Sequence, residues 1–147
     1  MLVDLQRYSG KWYELGRYSQ PYEQGCTSAI AYYRVVDEKL EIVNECWVKS
    51  SQGRWKRSRT IHGWARPTRH SNVLSVRFDT IPFDSEYSIL WTDYDTLALV
   101  GNPEKNYYWI LSRTPQISDT LWMWIQKSTR KLGFDLDRVI INNNRGL

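Results

Sequence analysis

At 147 residues and 41% hydrophobic content, the chain is long enough for one domain with a proper core and is not disordered by composition. It has no apolar run of transmembrane length, and its net charge of +4 is too mild to choose among nucleic acid, an anionic membrane surface and an anionic ligand. Eight Trp and ten Tyr stand against three Phe, and rings with a polar handle suit a lined pocket or binding face.

Strand signals dominate from the start. Runs of β-rich or alternating residues fall near 12–18, 27–36, 40–48, 54–65, 73–79, 86–92, 96–101 and 107–113. Short links with turn chemistry separate them, such as Asp37-Glu38-Lys39, Ser51-Gln52-Gly53 and Asn102-Pro103. Eight evenly spaced strands predict an all-β fold, an eight-stranded up-and-down antiparallel β-barrel. After Pro115 the period changes. Ser118-Asp119 caps a predicted helix at about 118–132, with Leu121, Ile125 and Leu132 as its apolar stripe and Gly133 as its stop. A short strand and polar tail at 138–147 complete a single domain, with the barrel at about 10–114 and the helix flanking it.

If the sheet closes, its first and last strands meet. Arg113 then lies across Trp12, a cation–π contact of about 1 kcal/mol. Strand direction brings the turn Thr92-Asp93-Tyr94 to the same closed end. The mouth falls to residues 19–26, 49–53, 79–85 and 102–106, the first a candidate lid with Pro21 and Gly25. Period-2 parity then selects the side chains inside. Leu40, Ile42, Asn44 and Cys46 face in on the third strand, and Leu74, Val76 and Phe78 on the fifth. Tyr87, Ile89 and Trp91 do so on the sixth, and Tyr107, Trp109 and Leu111 on the eighth. The second strand stays ambiguous, because Ala29, Ala31 and Tyr33 alternate with Ile30, Tyr32 and Arg34. On the fourth, Trp55, Ile61, Gly63 and Ala65 face in, and Arg57 and Arg59 share their parity. Either these arginines anchor an anionic head group near the mouth, or a bulge swings both outward.

Gly10-Lys11-Trp12-Tyr13-Glu14, Thr92-Asp93-Tyr94 and Arg113 resemble the three conserved blocks of the lipocalins. The likeness runs from about Asp4 to Val139 and extends to Gly25-Cys26, Ile42-Val43-Asn44-Glu45-Cys46 and Tyr107 to Pro115. It is similar above all to bacterial outer-membrane lipocalins, with the apolipoprotein D and temperature-induced lipocalin group as kin. The resemblance implies a calyx that binds and carries a small hydrophobic molecule, a fatty acid or lysophospholipid, with no cofactor. It places Tyr33, Asn44, Phe78, Tyr87 and Trp109 on pocket positions, and Gly10, Trp12, Thr92, Asp93, Tyr94 and Arg113 in a structural closed-end cluster. It also implies a cell-envelope location, periplasm or outer membrane, with peripheral membrane association and a monomer or homodimer.

Bacterial relatives are often anchored through an upstream cysteine, whereas this chain has no cysteine before Cys26, and Met1-Leu2-Val3-Asp4 is no secretory leader. A cytoplasmic location is therefore the alternative. A disulfide between Cys26 and Cys46 stays open, because a simple hairpin register about Glu38 does not set them opposite. Two other function classes compete. A basic barrel rich in aromatics is also the signature of a single-stranded nucleic-acid binder, although the inferred inward direction of the rings argues against a nucleic-acid partner. An enzyme would have to use Cys46 as an inward thiol nucleophile, since no nucleophile–base pair or metal cluster stands out.

Overall fold

The computed structural model describes residues 3–20, 23–70 and 72–147, which leaves Met1, Leu2 and the Pro21 of the expected lid outside the described residues. Its strands are β1 (Gly10–Arg17), β2 (Ser28–Val36), β3 (Lys39–Lys49), β4 (Trp55–Pro67), β5 (Val73–Phe78), β6 (Ser85–Thr92), β7 (Leu97–Gly101) and β8 (Tyr108–Ser112). Every boundary lies within two residues of the range that alternation predicts. The strands pair antiparallel in sequence order, and β1 pairs with both β2 and β8, so the sheet closes into a ring. A ninth strand, β9 (Ile140–Ile141), joins the outside of β1. The β2–β3 hairpin turns on Asp37 and Glu38, both at positive φ, the geometry of a two-residue turn that follows the sheet's twist.

Closure sorts the apolar residues into two layers. The inner one holds Trp12, Leu40, Ile42, Leu74, Val76 and Leu111. The outer one lies between the barrel wall and a helix, α2 (Asp119–Lys131), and holds Leu15, Leu99, Ile110 and Ile125. Both faces of β7 and β8 are therefore covered, which is why Leu97–Val100 and Tyr108–Leu111 read as continuous apolar runs rather than alternations. Ser118 caps α2 by accepting from the Leu121 amide at 3.2 Å, and Gly133 follows the helix at φ +88°. Trp122 packs on the outer layer.

The closed end is a knot around one side chain. The Arg113 guanidinium lies 3.7 Å from the centre of the Trp12 ring. It donates to the carbonyls of Lys11 at 2.9 Å, Arg7 and Ser9 at 3.0 Å and, through Nε, Tyr94 at 2.9 Å. Gly10 sits beside it at φ +104°, where an added Cβ would meet Arg113 Nη1 at 3.2 Å. Asp93 Oδ1 accepts from the Thr96 and Leu97 amides, and Thr92 Oγ1 donates to the Leu97 carbonyl, which shapes the turn that presents Tyr94. A short helix absent from the sequence reading, α1 (Leu5–Tyr8), plugs the floor. Its last residue, Tyr8, is 2% exposed and accepts the Trp12 indole N–H on its carbonyl at 2.8 Å.

On the outer face of β4, His62 is clamped between two carboxylates, Asp79 at 2.7 Å and Glu41 at 2.9 Å. Hydrogen bonds donated to Glu41 and then to Asp79 raise the His62 pKa above its usual 6.5, and the same contact with His62, followed by Arg34, lowers that of Glu41 below 4.5. A raised histidine pKa stabilises the fold below the unfolded value and loses that contribution as pH rises through the folded one; a lowered carboxylate pKa acts above its unfolded value. The clamp is therefore strongest between about pH 4.5 and 6.5. The melting temperature of His62→Gln should fall below wild type by its largest margin near pH 5.5, and the gap should close as the pH is raised past neutrality.

Candidate functional site: a cavity inside the barrel

Inside the ring lies a cavity of about 310 Å³. Its floor is Tyr8 of α1, and its wall gathers alternate residues from around the barrel. β2 supplies Ala29, Ala31 and Tyr33, which settles the ambiguous strand, and β3 supplies Ile42, Asn44 and Cys46. Leu74, Val76 and Phe78 enter from β5, Tyr87 and Ile89 from β6, and Trp109 and Leu111 from β8. Rings line one side closely: Trp109 lies 4.9 Å from Tyr87 and stacks on Tyr107 at 5.9 Å. The Tyr8 and Tyr33 rings meet at 5.2 Å. Burial, the leading cause in both, pushes the two hydroxyls above the ordinary tyrosine range, so they stay protonated donors at any working pH.

Two expected site residues stand elsewhere, each because of a bulge. Trp91 is not in the cavity. The β6–β7 register shifts between Ile89 and Trp91, so Ile89 opposes the inward Val100 while Trp91 opposes the outward Leu99. Its ring is 36% exposed and packs against Trp124 of α2 at 4.7 Å. On β4 a shift between Cys46 and Trp47 separates the two arginines that share parity in sequence: Cys46 opposes Arg59 and Trp47 opposes Arg57. Arg59 lines the cavity, and its Nη2 donates to the Gln24 carbonyl at 2.7 Å. Arg57 turns outward to pair with Glu45 at 3.1 Å, so it is no head-group anchor for the cavity. The same shift sends Trp55 outward, where its indole N–H donates to the Arg145 carbonyl.

Cys26 and Cys46 are joined in a disulfide across a Cα–Cα distance of 5.4 Å. Ala29 pairs with Cys46, and the chain at 23–26 turns back over the strand to bring Cys26 to it. Cys46 is therefore not a thiol nucleophile, and the enzymatic route that depended on it is closed.

The wall also carries charged residues that parity did not find. Glu14 and Glu23 line the cavity at 4% and 6% exposure, with Arg17 buried behind them at 5%. Arg17 Nη1 donates to Glu14 Oε1 at 2.9 Å, and Trp109 donates to Glu23 Oε1 at 3.1 Å. Asn142 Nδ2 donates to Glu14 Oε1 at 2.9 Å, and Asn144 Nδ2 to the Glu14 carbonyl at 2.7 Å. The expected polar tail is thus a buried strap. The run Asn142-Asn143-Asn144 was its sequence signal, since side-chain amides are what a buried ion pair needs for its remaining hydrogen bonds.

Comparison with known proteins agrees with this architecture. The sequence profile of the lipocalin-like domain matches residues 3–144. Outer membrane lipoprotein Blc of Escherichia coli K12 is 34% identical over 140 residues, covering 93% of this chain and 77% of the relative. Temperature-induced lipocalin-1 of Arabidopsis thaliana is 27% identical over 149 residues, with the same two coverages of 93% and 77%. Among solved structures, lobster apocrustacyanin A1 superposes with a TM-score of 0.69 at 19% identity, over 93% of this chain and 77% of that one, a likeness of fold. With its closed eight-stranded ring, its Arg113–Trp12 floor and a family match over nearly its whole length, the chain belongs to the lipocalins.

Proposed function

We propose that this protein binds and carries a one-chain amphiphile, a fatty acid or lysophospholipid, with its acyl chain inside the barrel and its anionic head at Arg59. The observation that carries this reading is the cavity inside the barrel. Its wall is mostly apolar and aromatic, its polar groups are few, and its volume lies at the lower end of the range for small-molecule sites. Each buried methylene contributes about 0.8 kcal/mol, so chain length alone supplies useful affinity. Arg59 is exposed and on the lining, where a guanidinium pairs well with carboxylate or phosphate. The likeness to an outer membrane lipoprotein supports a role in the cell envelope, and the disulfide suits an oxidising compartment.

Delipidated protein should show saturable, near-stoichiometric quenching of tryptophan fluorescence on titration with oleate or a lysophospholipid, because Trp109 lines the cavity. Absence of saturation with every amphiphile tried would overturn the reading. Ala31→Trp supplies the control. Ala31 lines the cavity and pairs with Trp12, so an indole there fills the space near the floor. Displacing about three methylenes costs about 2.4 kcal/mol, roughly sixty-fold in Kd.

A further inference from the structure

The polar groups of the cavity wall are out of balance in one direction. Two acceptor oxygens, Asn44 Oδ1 on β3 and Glu23 Oε2 in the 23–26 segment, are buried and have no hydrogen-bond partner among the described residues. Both residues line the cavity, and Glu23 is 6% exposed. Glu23 Oε2 lies 3.3 Å from Arg17 Nε, within ion-pair reach but not aligned for a hydrogen bond. Its other oxygen, Oε1, accepts from the Trp109 indole at 3.1 Å. Buried acceptors without donors are rare in native proteins, and in a pocket they call for a ligand that brings donors.

The charges are out of balance as well. Two carboxyls, Glu14 and Glu23, share one guanidinium, Arg17. Trp109 on β8, Asn142 after β9 and Tyr33 on β2 are neutral neighbours of the cluster. Arg59, itself exposed, reaches the segment from β4 and holds the Gln24 carbonyl at 2.7 Å. Burial first, and then the Glu14 charge, hold the Glu23 carboxyl well above the usual range against the pull of Arg17, so it keeps a proton at neutral pH. That proton stands where a cation would. An ammonium group supplies three donors, no acceptor and the missing positive charge. Aromatic rings flank the carboxyl, with Tyr87 4.9 Å from Trp109, and ring faces attract such a cation. A ligand carboxylate brings no donor and would face the Glu14 charge. A hydroxyl brings one donor and no charge, and a quaternary ammonium brings charge and no donor.

We propose that Glu23 and Asn44 form an ammonium subsite in the cavity wall, so that the protein also binds primary alkylamines, with the alkyl chain along the apolar wall and the ammonium on the Glu23 carboxylate. On binding, the Glu23 proton passes to solvent and the ammonium takes its place, so the cluster of Glu14, Glu23, Arg17 and ligand stays neutral. Glu23 is the counter-ion of the ligand. Arg17 and Glu14 position it. The subsite rests on the cavity taking amphiphiles, and it adds a second head-group chemistry, distinct from the anion position at Arg59.

The test compares octylamine, octan-1-ol and octyltrimethylammonium, which share one chain and differ in the head, titrated into delipidated protein at pH 7 by tryptophan fluorescence. Wild type should bind octylamine about tenfold more tightly than either of the others, because it alone brings both the charge and the donors. Calorimetry in phosphate and in Tris should show about one proton released per octylamine bound. In Glu23→Gln the preference over octan-1-ol should fall to about twofold and the proton release should vanish. Asn44→Leu should cut the preference to about threefold and keep the proton release. Thermal melts establish which variants are folded, and the wild-type proton release with Asn44→Leu decides the matter if Glu23→Gln is not. Equal affinity for the three compounds in wild type, no proton release, or a preference that survives in folded Glu23→Gln overturns the subsite. Saturation by oleate or a lysophospholipid alongside that failure leaves the lipid-binding reading standing. Saturation by octylamine but by neither lipid supports the subsite and overturns the lipid reading; no saturation by any amphiphile removes both.

Discussion

Arg113→Ala is expected to lower the unfolding free energy by about 4 kcal/mol and to leave the ranking of ligands by affinity unchanged. The guanidinium serves five backbone carbonyls, four from residues 7–11 and one from the Tyr94 turn, and covers the fully buried Trp12 ring. A hydrogen bond from a charged donor contributes about 1.5–3 kcal/mol, and the ring contact about 1–2 when desolvated. These are not additive, since the freed carbonyls at this partly exposed site recover some hydration, so the total is set below their sum. Arg113→Lys should recover less than half of the loss, because an ammonium is a point charge and cannot span the fork of acceptors. Urea denaturation measures the first effect and fluorescence titration the second. A loss below about 1 kcal/mol would mean that α1 and the Tyr94 turn hold the floor without it.

Removing the disulfide with Cys26→Ser and Cys46→Ser together should cost about 3 kcal/mol. The crosslink closes a loop over a sequence separation of 20, for which chain entropy in the unfolded state predicts a contribution of that size. In the folded state the segment keeps other ties: the Thr27 amide donates to the Trp47 carbonyl, and Arg59 holds the Gln24 carbonyl. The double variant should therefore fold with its barrel intact and its 23–26 segment loosened, so that the dissociation rate of a bound amphiphile rises more than the melting temperature alone would suggest. An unchanged denaturation midpoint would show that these hydrogen bonds already hold the loop and that the unfolded chain gains little freedom.

Strand positions were legible because alternation and turn chemistry act over a few residues, and closure followed from their number and spacing. Side-chain direction was legible only while the ladders stayed regular. Parity placed Trp91 inside and left Arg57 and Arg59 open between an inward anchor and an outward bulge; one inserted residue in each ladder puts Trp91 and Arg57 outside, while Arg59 stays on the lining. No local signal at Leu90 or Ser58 marks those bulges; both arise from fitting strands around a closed ring. A third bulge, between Glu14 and Gly16, turns Arg17 to the side of Glu14. Glu14 and Arg17 are three apart and would point to opposite faces of a regular strand, yet they pair at 2.9 Å. Leu5–Tyr8 carries no helical period in four residues, and it is helical because Arg113 and Tyr94 hold its ends.

The two chain ends leave the molecule at opposite poles. The Asp4 amide donates to the Tyr94 hydroxyl at the floor, whereas the Arg145 carbonyl accepts from Trp55 beside the β3–β4 turn at the rim. Anything fused before Val3 therefore emerges beneath the barrel and leaves the opening clear. A tag, dye or surface linkage attached after Leu147 sits next to the entrance instead. An immobilised or labelled form that is to load and unload freely should be held by its amino end.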